Sequence, residues 1–402
     1  MLYNFNMLDT LWLMLIIYIV FLGLYFSKKI NFKNYELKSL TRKINKDSLF
    51  LALGTKMGVG TIIGTTMSIF IGGAGSLLWI YLFTILTSSI IYVESYLGSK
   101  YKQKVNNLYV GGIYYYTKFG LKKNKLANIM LILFVSTYSF FFLMIQTNTV
   151  SNLLNINKIM LFLIISVLII LIITNDVREI TKLLNKIVPI MCIFFISISI
   201  FTIAKHYYML PTIFKSILNE AFNPKTFLTG MIIGIKRSIF LNELLIGTTS
   251  MSSGINNEIS ETTANTLILG SYFIVFVVST LISLLVLIYL NSSNIIITSY
   301  TDLLLNTFTY HFSSYGNYFL NIIVCLLAIS TIISGIYIGI CNFTYLFKNK
   351  KLINIFKIIV FMFITSGLFL DTSLIWKLID TFMLILIIGN SYIITKLRHD
   401  IS

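Results

Sequence analysis

The chain has 402 residues, of which 57% are hydrophobic and only 11% are charged. Soluble proteins carry about 25% charged residues, so this composition excludes an ordinary soluble domain. The apolar residues also fall into long runs, such as residues 11–26 and 266–290. Runs of about 20 apolar residues are long enough to cross a bilayer as helices. The sequence therefore predicts an all-α polytopic membrane protein embedded in a lipid bilayer.

The first predicted helix, near residues 10–27, lacks the features of a signal peptide. No basic segment precedes it and no small-residue cleavage site ends it. The stretch that follows carries seven Lys and Arg residues between Lys28 and Lys46, and a later one carries seven between Lys100 and Lys125. Because cytoplasmic loops are enriched in Lys and Arg, topology explains the net charge of +17, and no nucleic-acid partner is predicted.

About eleven transmembrane helices are predicted along the chain. They are expected at residues 10–27, 48–71, 76–98, 126–152, 158–175, 180–204, 226–250, 262–290, 316–346, 352–370 and 373–396. With an external N-terminus, eleven spans place the C-terminus and every basic loop in the cytoplasm. This is the pattern of a multi-pass protein of the plasma (cytoplasmic) membrane.

The helices after the first one divide into two sets of five. The predicted units are an N-terminal helix with its basic loop (1–47), a first five-helix repeat (48–204), an external connection (205–225), a second five-helix repeat (226–396) and a cytoplasmic tail (397–402). Because five is odd, the second set enters the membrane from the opposite side, which is the topology of an inverted repeat. Counting alone supports this repeat, since the two halves share no visible sequence identity.

The leading helix of the first set contains the stretch LGTKMGVGTIIGTT, with four glycines (Gly54, Gly58, Gly60 and Gly64) around Lys56. The glycines fit the small-x-x-x-small pattern that lets membrane helices approach closely. They also permit an unwound turn, whose free carbonyls can coordinate a cation and whose free N–H groups can hold a carboxylate. Both interpretations are open at this point.

Lys56 has several interpretations of its own. It could form a structural ion pair with Glu243 or Glu94, or extend along the helix to the cytoplasmic surface. It could also supply a fixed positive charge to a functional site.

The leading helix of the second set, residues 229–250, carries Lys236, Arg237, Asn242 and Glu243 inside an apolar span. A charge at the bilayer centre costs about 2.5–3.5 kcal/mol, so this helix is expected to be broken and to line a cavity. Interrupted helices at corresponding places in two halves are the best sequence indication of a transporter's binding site.

Two other apolar helices hold polar side chains that could complete such a site. Gln146 and Asn148 lie in one of them, and Ser330 and Thr331 are adjacent in the other. Their oxygen atoms are the donors that hard cations prefer.

Neither an enzymatic activity nor a cofactor is predicted. The three cysteines (Cys192, Cys325 and Cys341) lie in apolar runs and are interpreted as buried thiols. The three histidines (His206, His311 and His399) are far apart, so no metal site is expected beyond one for sodium. The motifs H-E-x-x-H and G-x-S-x-G and a Gly-rich phosphate loop are missing from the sequence. No obligate protein partner is indicated.

Several stretches resemble motifs of the alanine or glycine:cation symporter family. They are GTKMGVGTIIGTTMSIFIGGAGSLLWIY, YVESYLGSKYKQK, GGIYYYTKFGL, QTN at 146–148, GIKRSIFLNELLIGTTS, LLAISTIISGIYIG and IWKLIDTFMLILIIGN. They follow the order of the family's motifs, and the resemblance covers essentially the whole chain.

The resemblance implies a leucine-transporter-like 5+5 inverted repeat plus one N-terminal helix. It implies sodium-coupled symport of a small neutral amino acid, such as alanine or glycine, by alternating access. The residues that would bind substrate are Gly60, Thr61, Gln146, Phe240, Asn242 and Thr331. The sodium ligands would be the carbonyls of Gly54, Met57 and Leu327 and the hydroxyls of Ser330 and Thr331.

Departures from the family pattern leave alternatives open. Thr61 stands where the family has Asn, and the aromatic residue expected near Gly335 is missing, which suggests a wider pocket. Lys56 stands where the family has a small or aliphatic residue, so it could replace a cation in a proton-coupled or ion-independent carrier. A transport-inactive membrane sensor is a further alternative.

Two charged residues of the second broken helix are coupling or gating candidates together with Lys56. Arg237 could close the external gate or bind the substrate carboxylate, or form a salt bridge with Glu243 or Asp380. Glu243 is expected to orient the broken helix.

Overall fold

The computed structural model describes residues 7–105, 108–154, 156–174, 177–255, 257, 260–293, 297–347 and 349–401. Nearly all of these residues are helical. The described residues contain a single two-stranded antiparallel sheet, in which β1 (Gln103–Val105) pairs with β2 (Leu108–Val110).

The first part of the chain forms nine helices before residue 206. They are α1 (Met7–Lys29), α2 (Leu37–Thr41), α3 (Lys46–Lys56), α4 (Val59–Gly72), α5 (Ser76–Lys100), α6 (Ile113–Tyr115, continued by a π-helical turn over Tyr116–Gly120), α7 (Asn124–Leu153), α8 (Lys158–Thr174) and α9 (Val177–Lys205). Helices α3 and α4 meet at an angle of 52° across a two-residue break.

The second part of the chain forms eight helices. Its helices are α10 (Leu210–Ala221), α11 (Phe227–Leu241), α12 (Thr248–Ser253), α13 (Ser260–Ser292), α14 (Tyr300–Phe312), α15 (Gly316–Leu346), α16 (Lys350–Ser366) and α17 (Thr372–Lys396). Short 3₁₀ turns lie at Lys33–Tyr35, Tyr207–Met209, Ser313–Tyr315 and Arg398–Asp400.

Each of the eleven segments predicted to span the membrane contains a helix. By length and composition, seven helical segments of the described chain could cross a bilayer, or eight when the bent pair α3–α4 counts as one span. Helices α8 and α16 have 17 residues each, which corresponds to about 25 Å against a hydrocarbon core of about 30 Å. The chain is a multi-pass membrane protein, and the total of eleven spans stays a prediction.

The two halves pack against each other along their broken helices. Helix α5 contacts α11, α12 and α13, while α4 contacts α11 and α9 contacts both α3 and α15. Hydroxyl groups connect several of these helices: Thr65 and Ser279 lie 3.0 Å apart, and Thr84 and Ser238 lie 2.8 Å apart. Paired hydroxyls satisfy each other where water cannot reach, so the interface can be polar and still dry.

Candidate functional site

The first break separates α3 from α4 at Met57 and Gly58. Gly58 has an extended backbone, with φ −95° and ψ −178°. A Cβ atom at Gly58 would lie 2.6 Å from Oγ1 of Thr331 and 3.1 Å from Oε1 of Gln146. Glycine is therefore required here by the close approach of α15 and α7 rather than by an unusual φ angle. Of the two interpretations of the glycine stretch, the unwound turn describes residues 57–58.

Two predicted site residues hydrogen-bond to the backbone groups freed by this break. The N–H of Val59 donates to Oε1 of Gln146 at 3.0 Å, and the hydroxyl of Thr331 donates to the carbonyl of Gly54 at 3.2 Å. The first N–H groups and last carbonyls of a helix have no partner within it. Gln146 and Thr331 supply these partners from two other helices.

The second break, between α11 and α12, has a strained backbone. Glu243 and Leu245 adopt φ angles of 48° and 62°, and Gly247 adopts 110°. Positive φ costs non-glycine residues roughly 1–3 kcal/mol each, so surrounding contacts must hold this conformation.

Glu94 and Asn390 provide contacts that hold the second break. Glu94 accepts a hydrogen bond from the N–H of Leu245 at 3.1 Å, and Asn390 donates to the Leu245 carbonyl at 3.0 Å and to Glu94 at 3.3 Å. The hydroxyl of Tyr116 donates to Oδ1 of Asn390 at 2.5 Å. The second break is thus stabilised by side chains of α5 and α17, as the first is by α7 and α15.

The structure brings most of the predicted substrate residues together, and all of them are buried. The ring of Phe240 lies against Gly60, where a Cβ atom would come within 2.7 Å of Cε1. The hydroxyl of Thr61 donates to the carbonyl of Lys56 at 2.6 Å. Asn242 instead donates to Thr84 at 2.9 Å, so its amide nitrogen is directed towards α5.

An aromatic row covers one side of the first break. Phe142 stacks on Phe240 with 5.1 Å between ring centroids, and Phe240 contacts Trp376 at 5.3 Å. The guanidinium of Arg237 lies 5.1 Å from the centre of the Trp376 ring, and its Nη2 contacts the sulfur of Met67 at 2.7 Å. Arg237 therefore caps the row through a cation–π contact.

The predicted sodium ligands form two neighbouring pairs. Thr331 contacts the Gly54 carbonyl, as described above, and the hydroxyl of Ser330 donates to the Leu327 carbonyl at 2.9 Å. Met57, the fifth predicted ligand, lies in the break itself and its sulfur contacts Sγ of Cys192 at 3.4 Å. These donors come from the end of α3 and the middle of α15, two helices in direct contact.

Lys56 is buried at the end of α3, with 4% of its surface exposed. Its Nζ donates to the hydroxyl of Ser271 at 2.6 Å, and the acidic side chains of Glu243 and Glu94 lie in its surroundings. The side chain therefore does not extend to the surface. It lies instead among groups of α13, α5 and the second break.

Sequence reasoning missed several residues of this region. In the sequence, Phe142 and Trp376 cannot be told from ordinary core residues, and Ser271 cannot be told from any other serine of an apolar helix. Asn390 ends the motif IWKLIDTFMLILIIGN, but its partner Leu245 is 145 residues away. Asn148 donates to the carbonyls of Gly367 and Leu370 at 3.0 and 2.9 Å and so stabilises the turn before α17.

Three sequence interpretations change with the structure. Leu143 fills the space over Gly335, where a Cβ atom would lie 2.5 Å from its Cδ2, so the missing aromatic residue leaves no widening at that position. Cys192 is buried as expected, but Cys325 and Cys341 are half-buried. Two histidines expected to be far apart, His206 and His311, have ring centroids 5.4 Å apart, because the fold brings their helix ends together.

The chain is similar to known membrane transporters over most of its length. The model of the sodium:alanine symporter family matches residues 3–401. A probable sodium/glutamine symporter, GlnT of Bacillus subtilis, is 28% identical over 95% of this chain and 85% of its own length. The amino-acid carrier protein AlsT of the same organism is 24% identical over 97% and 88%. The sodium/alanine symporter AgcS of Methanococcus maripaludis is 24% identical over 83% and 77%.

Proposed function

The chain belongs to the sodium:alanine symporter family, and we propose that it is a secondary active transporter that imports a small neutral amino acid together with sodium. The observation that carries this proposal is the convergence of Gly58, Gln146 and Thr331 at the first break. Helix α4 begins there, and the N-terminal end of a helix favours a carboxylate. An amino-acid substrate brings such a carboxylate.

Sodium is the proposed coupling ion. The Gly54 carbonyl, the Leu327 carbonyl and the hydroxyls of Ser330 and Thr331 are oxygen donors within hydrogen-bond distance of one another in pairs. Oxygen donors of this kind suit a hard cation. Their position beside the Gly58 break supports coupling, because an ion held there stabilises the same backbone that receives the substrate.

The proposed architecture is a leucine-transporter-like 5+5 inverted repeat preceded by α1. Two sets of helices, each led by a broken pair (α3–α4 and α11–α12), support it. The proposed substrate residues are all buried, so substrate can enter only if packed elements move apart. Alternating access supplies that movement. The aromatic row with Arg237 is a candidate gate on the predicted external side.

The names of the relatives guide the choice of substrates for a test. One relative is named for glutamine and another for alanine. Both compounds are neutral amino acids, and the buried site offers amide, hydroxyl and aromatic groups to them. We therefore propose a neutral amino acid of this size range.

Uptake into proteoliposomes tests the proposal. Radiolabelled alanine, glycine and glutamine are offered with an inward sodium gradient, with choline replacing sodium, and with a proton gradient alone. We expect accumulation of at least one of them only with sodium. Accumulation without sodium would favour a proton-coupled or ion-independent carrier. Binding without accumulation of any substrate would favour a sensor.

One observation favours the second candidate, a carrier in which Lys56 replaces a cation. The side chain of Lys56 is buried and bonded to Ser271, with the acidic residues Glu243 and Glu94 in its surroundings, so it could exchange a proton during the cycle. Lys56→Met keeps an unbranched side chain one atom shorter and removes the amino group, and Ser271→Ala removes only its hydrogen-bond acceptor. For sodium-coupled transport we expect Lys56→Met to lower uptake and leave its dependence on sodium unchanged. Loss of a proton dependence would instead support the second candidate.

A further inference from the structure

The two histidines that the fold brings together lie at one end of the helix bundle, away from the breaks. His206 directly follows α9, and His311 is close to the C-terminus of the amphipathic helix α14. Their ring centroids are 5.4 Å apart and their planes are inclined by 73°. Both positions belong to the end of the molecule that the sequence predicts to be external.

Each imidazole has one ring nitrogen committed to a backbone carbonyl. Nδ1 of His206 lies 3.1 Å from the Thr202 carbonyl, and Nε2 of His311 lies 2.9 Å from the Leu285 carbonyl. A carbonyl oxygen can only accept, so these two nitrogens carry the hydrogen. In a neutral imidazole the other nitrogen then has a free lone pair. The nitrogen atoms with a free lone pair are Nε2 of His206 and Nδ1 of His311.

The lone pair of His311 is buried and has no hydrogen-bond partner in the described part of the chain. The hydroxyl of Tyr289 is in the same situation, and it belongs to the same cluster, since Tyr310 lies 5.7 Å from Tyr289 and 5.1 Å from His311 between ring centroids. Buried polar atoms normally have a partner. The Nδ1 atom of His311 therefore has a lone pair available to a ligand, next to the ring of His206.

We propose that His206 and His311 form a binding site for a divalent transition metal ion such as Zn²⁺. Metal-bound histidines almost always donate their second ring nitrogen to a backbone carbonyl or carboxylate, as both rings do here. Two nitrogens on one zinc ion lie about 3.3 Å apart for Zn–N bonds of about 2.0–2.1 Å. Ring centroids 5.4 Å apart allow this separation, since each nitrogen lies at the edge of its ring.

The described residues contain no group of three or more His, Cys, Asp or Glu side chains that could hold a metal. The site therefore supplies two protein ligands, and water completes the coordination. A bound ion joins the end of α9 to α14 and, through the Leu285 carbonyl, to α13. It restrains the relative movement of these elements.

Zinc binding to the purified protein tests the proposal without any transport assay. Zn²⁺ is titrated into purified protein prepared without a polyhistidine tag, and binding is measured by isothermal titration calorimetry. We expect one ion per chain, with affinity at least about tenfold weaker in His206→Gln and in His311→Gln. The matched control is His399→Gln, which changes the third histidine, on the opposite side of the predicted topology, and is expected to bind like the wild type. Equal affinity in the double variant overturns the proposal, as does absence of binding to the wild type.

A spectroscopic measurement on the wild-type protein needs no variant to fold. X-ray absorption at the zinc edge is expected to show two imidazole ligands with oxygen atoms completing the shell. A spectrum without imidazole overturns the proposal. External Zn²⁺ is also expected to slow amino-acid uptake in the wild type and not in the double variant. This last readout alone rests on the proposed transport function, so its failure with intact binding would concern transport only.

Discussion

Gly58 lies at the break between α3 and α4, where a Cβ atom would come within 2.6 Å of Thr331 on α15 and 3.1 Å of Gln146 on α7. The sequence suggested glycine packing and glycine unwinding as alternatives, and the structure contains both within a few residues. Residues 57–58 are unwound, whereas Gly60 accommodates the ring of Phe240. Sequence spacing could not separate the two, because each depends on which helix lies opposite.

Gly58→Ala is expected to abolish uptake. Its methyl group would lie 2.6 Å from the Thr331 hydroxyl, so Thr331 and Gln146 would have to move away from the backbone groups they bind. The matched control is Gly64→Ala, because a Cβ atom at Gly64 would come no closer than 3.6 Å to Arg237. This variant is expected to retain uptake. Initial rates in proteoliposomes, normalised to folded protein, give the comparison. Wild-type rates in Gly58→Ala would contradict the proposed site.

At the scale of elements, the second leading helix was predicted to be broken, and unwinding was one of two interpretations of the first. Both helices are broken in the structure. The sequence also indicated Glu243 inside the second leading helix and Glu94 as a candidate ion-pair partner of Lys56. It could not predict that Glu94 binds the Leu245 backbone, because a positive φ at Leu245 is imposed by tertiary contacts rather than by its own side chain. Asn390 was missed for the same reason.

Asn390→Ala is expected to lower the stability of the protein by about 1–3 kcal/mol, because it removes the side-chain donor to the buried Leu245 carbonyl. Thermal unfolding of the purified protein in detergent measures this loss. The control is Asn291→Ala. The side-chain amide of Asn291 donates to the Leu287 carbonyl of its own helix, at 2.8 Å, so this variant is expected to change the unfolding midpoint little. Equal midpoints for the two variants would argue that Asn390 does not hold the second break.

At the scale of the whole molecule, hydropathy predicted the order of the helical segments, and the distribution of Lys and Arg predicts an orientation in the membrane. Both are local properties of the sequence. The pairing of His206 with His311 is not, since 105 residues separate them and the helix ends on which they lie become neighbours only in the folded bundle. Sequence spacing gave no indication that these two histidines lie side by side, with ring centroids 5.4 Å apart.

The predicted orientation is tested by labelling single cysteines in a variant whose three native cysteines are replaced by alanine. The two variants are Asn223→Cys and Lys123→Cys. Residue 223 lies in the exposed connection after α10, and residue 123 lies in the exposed basic loop before α7. A membrane-impermeant maleimide applied to intact cells is expected to label residue 223 at once, and residue 123 only after permeabilisation. The reverse pattern would show that the N-terminus is cytoplasmic.

Coupling between sodium and substrate is measured most directly as the entry of radioactive sodium into proteoliposomes when an amino acid is added outside. In the wild type, sodium entry is expected to rise severalfold on addition of the transported amino acid. The same rise is expected in Thr331→Ser, because serine keeps the hydroxyl beside the Gly54 carbonyl. Thr331→Val removes that hydroxyl and is expected to lose most of the rise. Uptake of the amino acid with no increase in sodium entry in the wild type would contradict sodium-coupled symport.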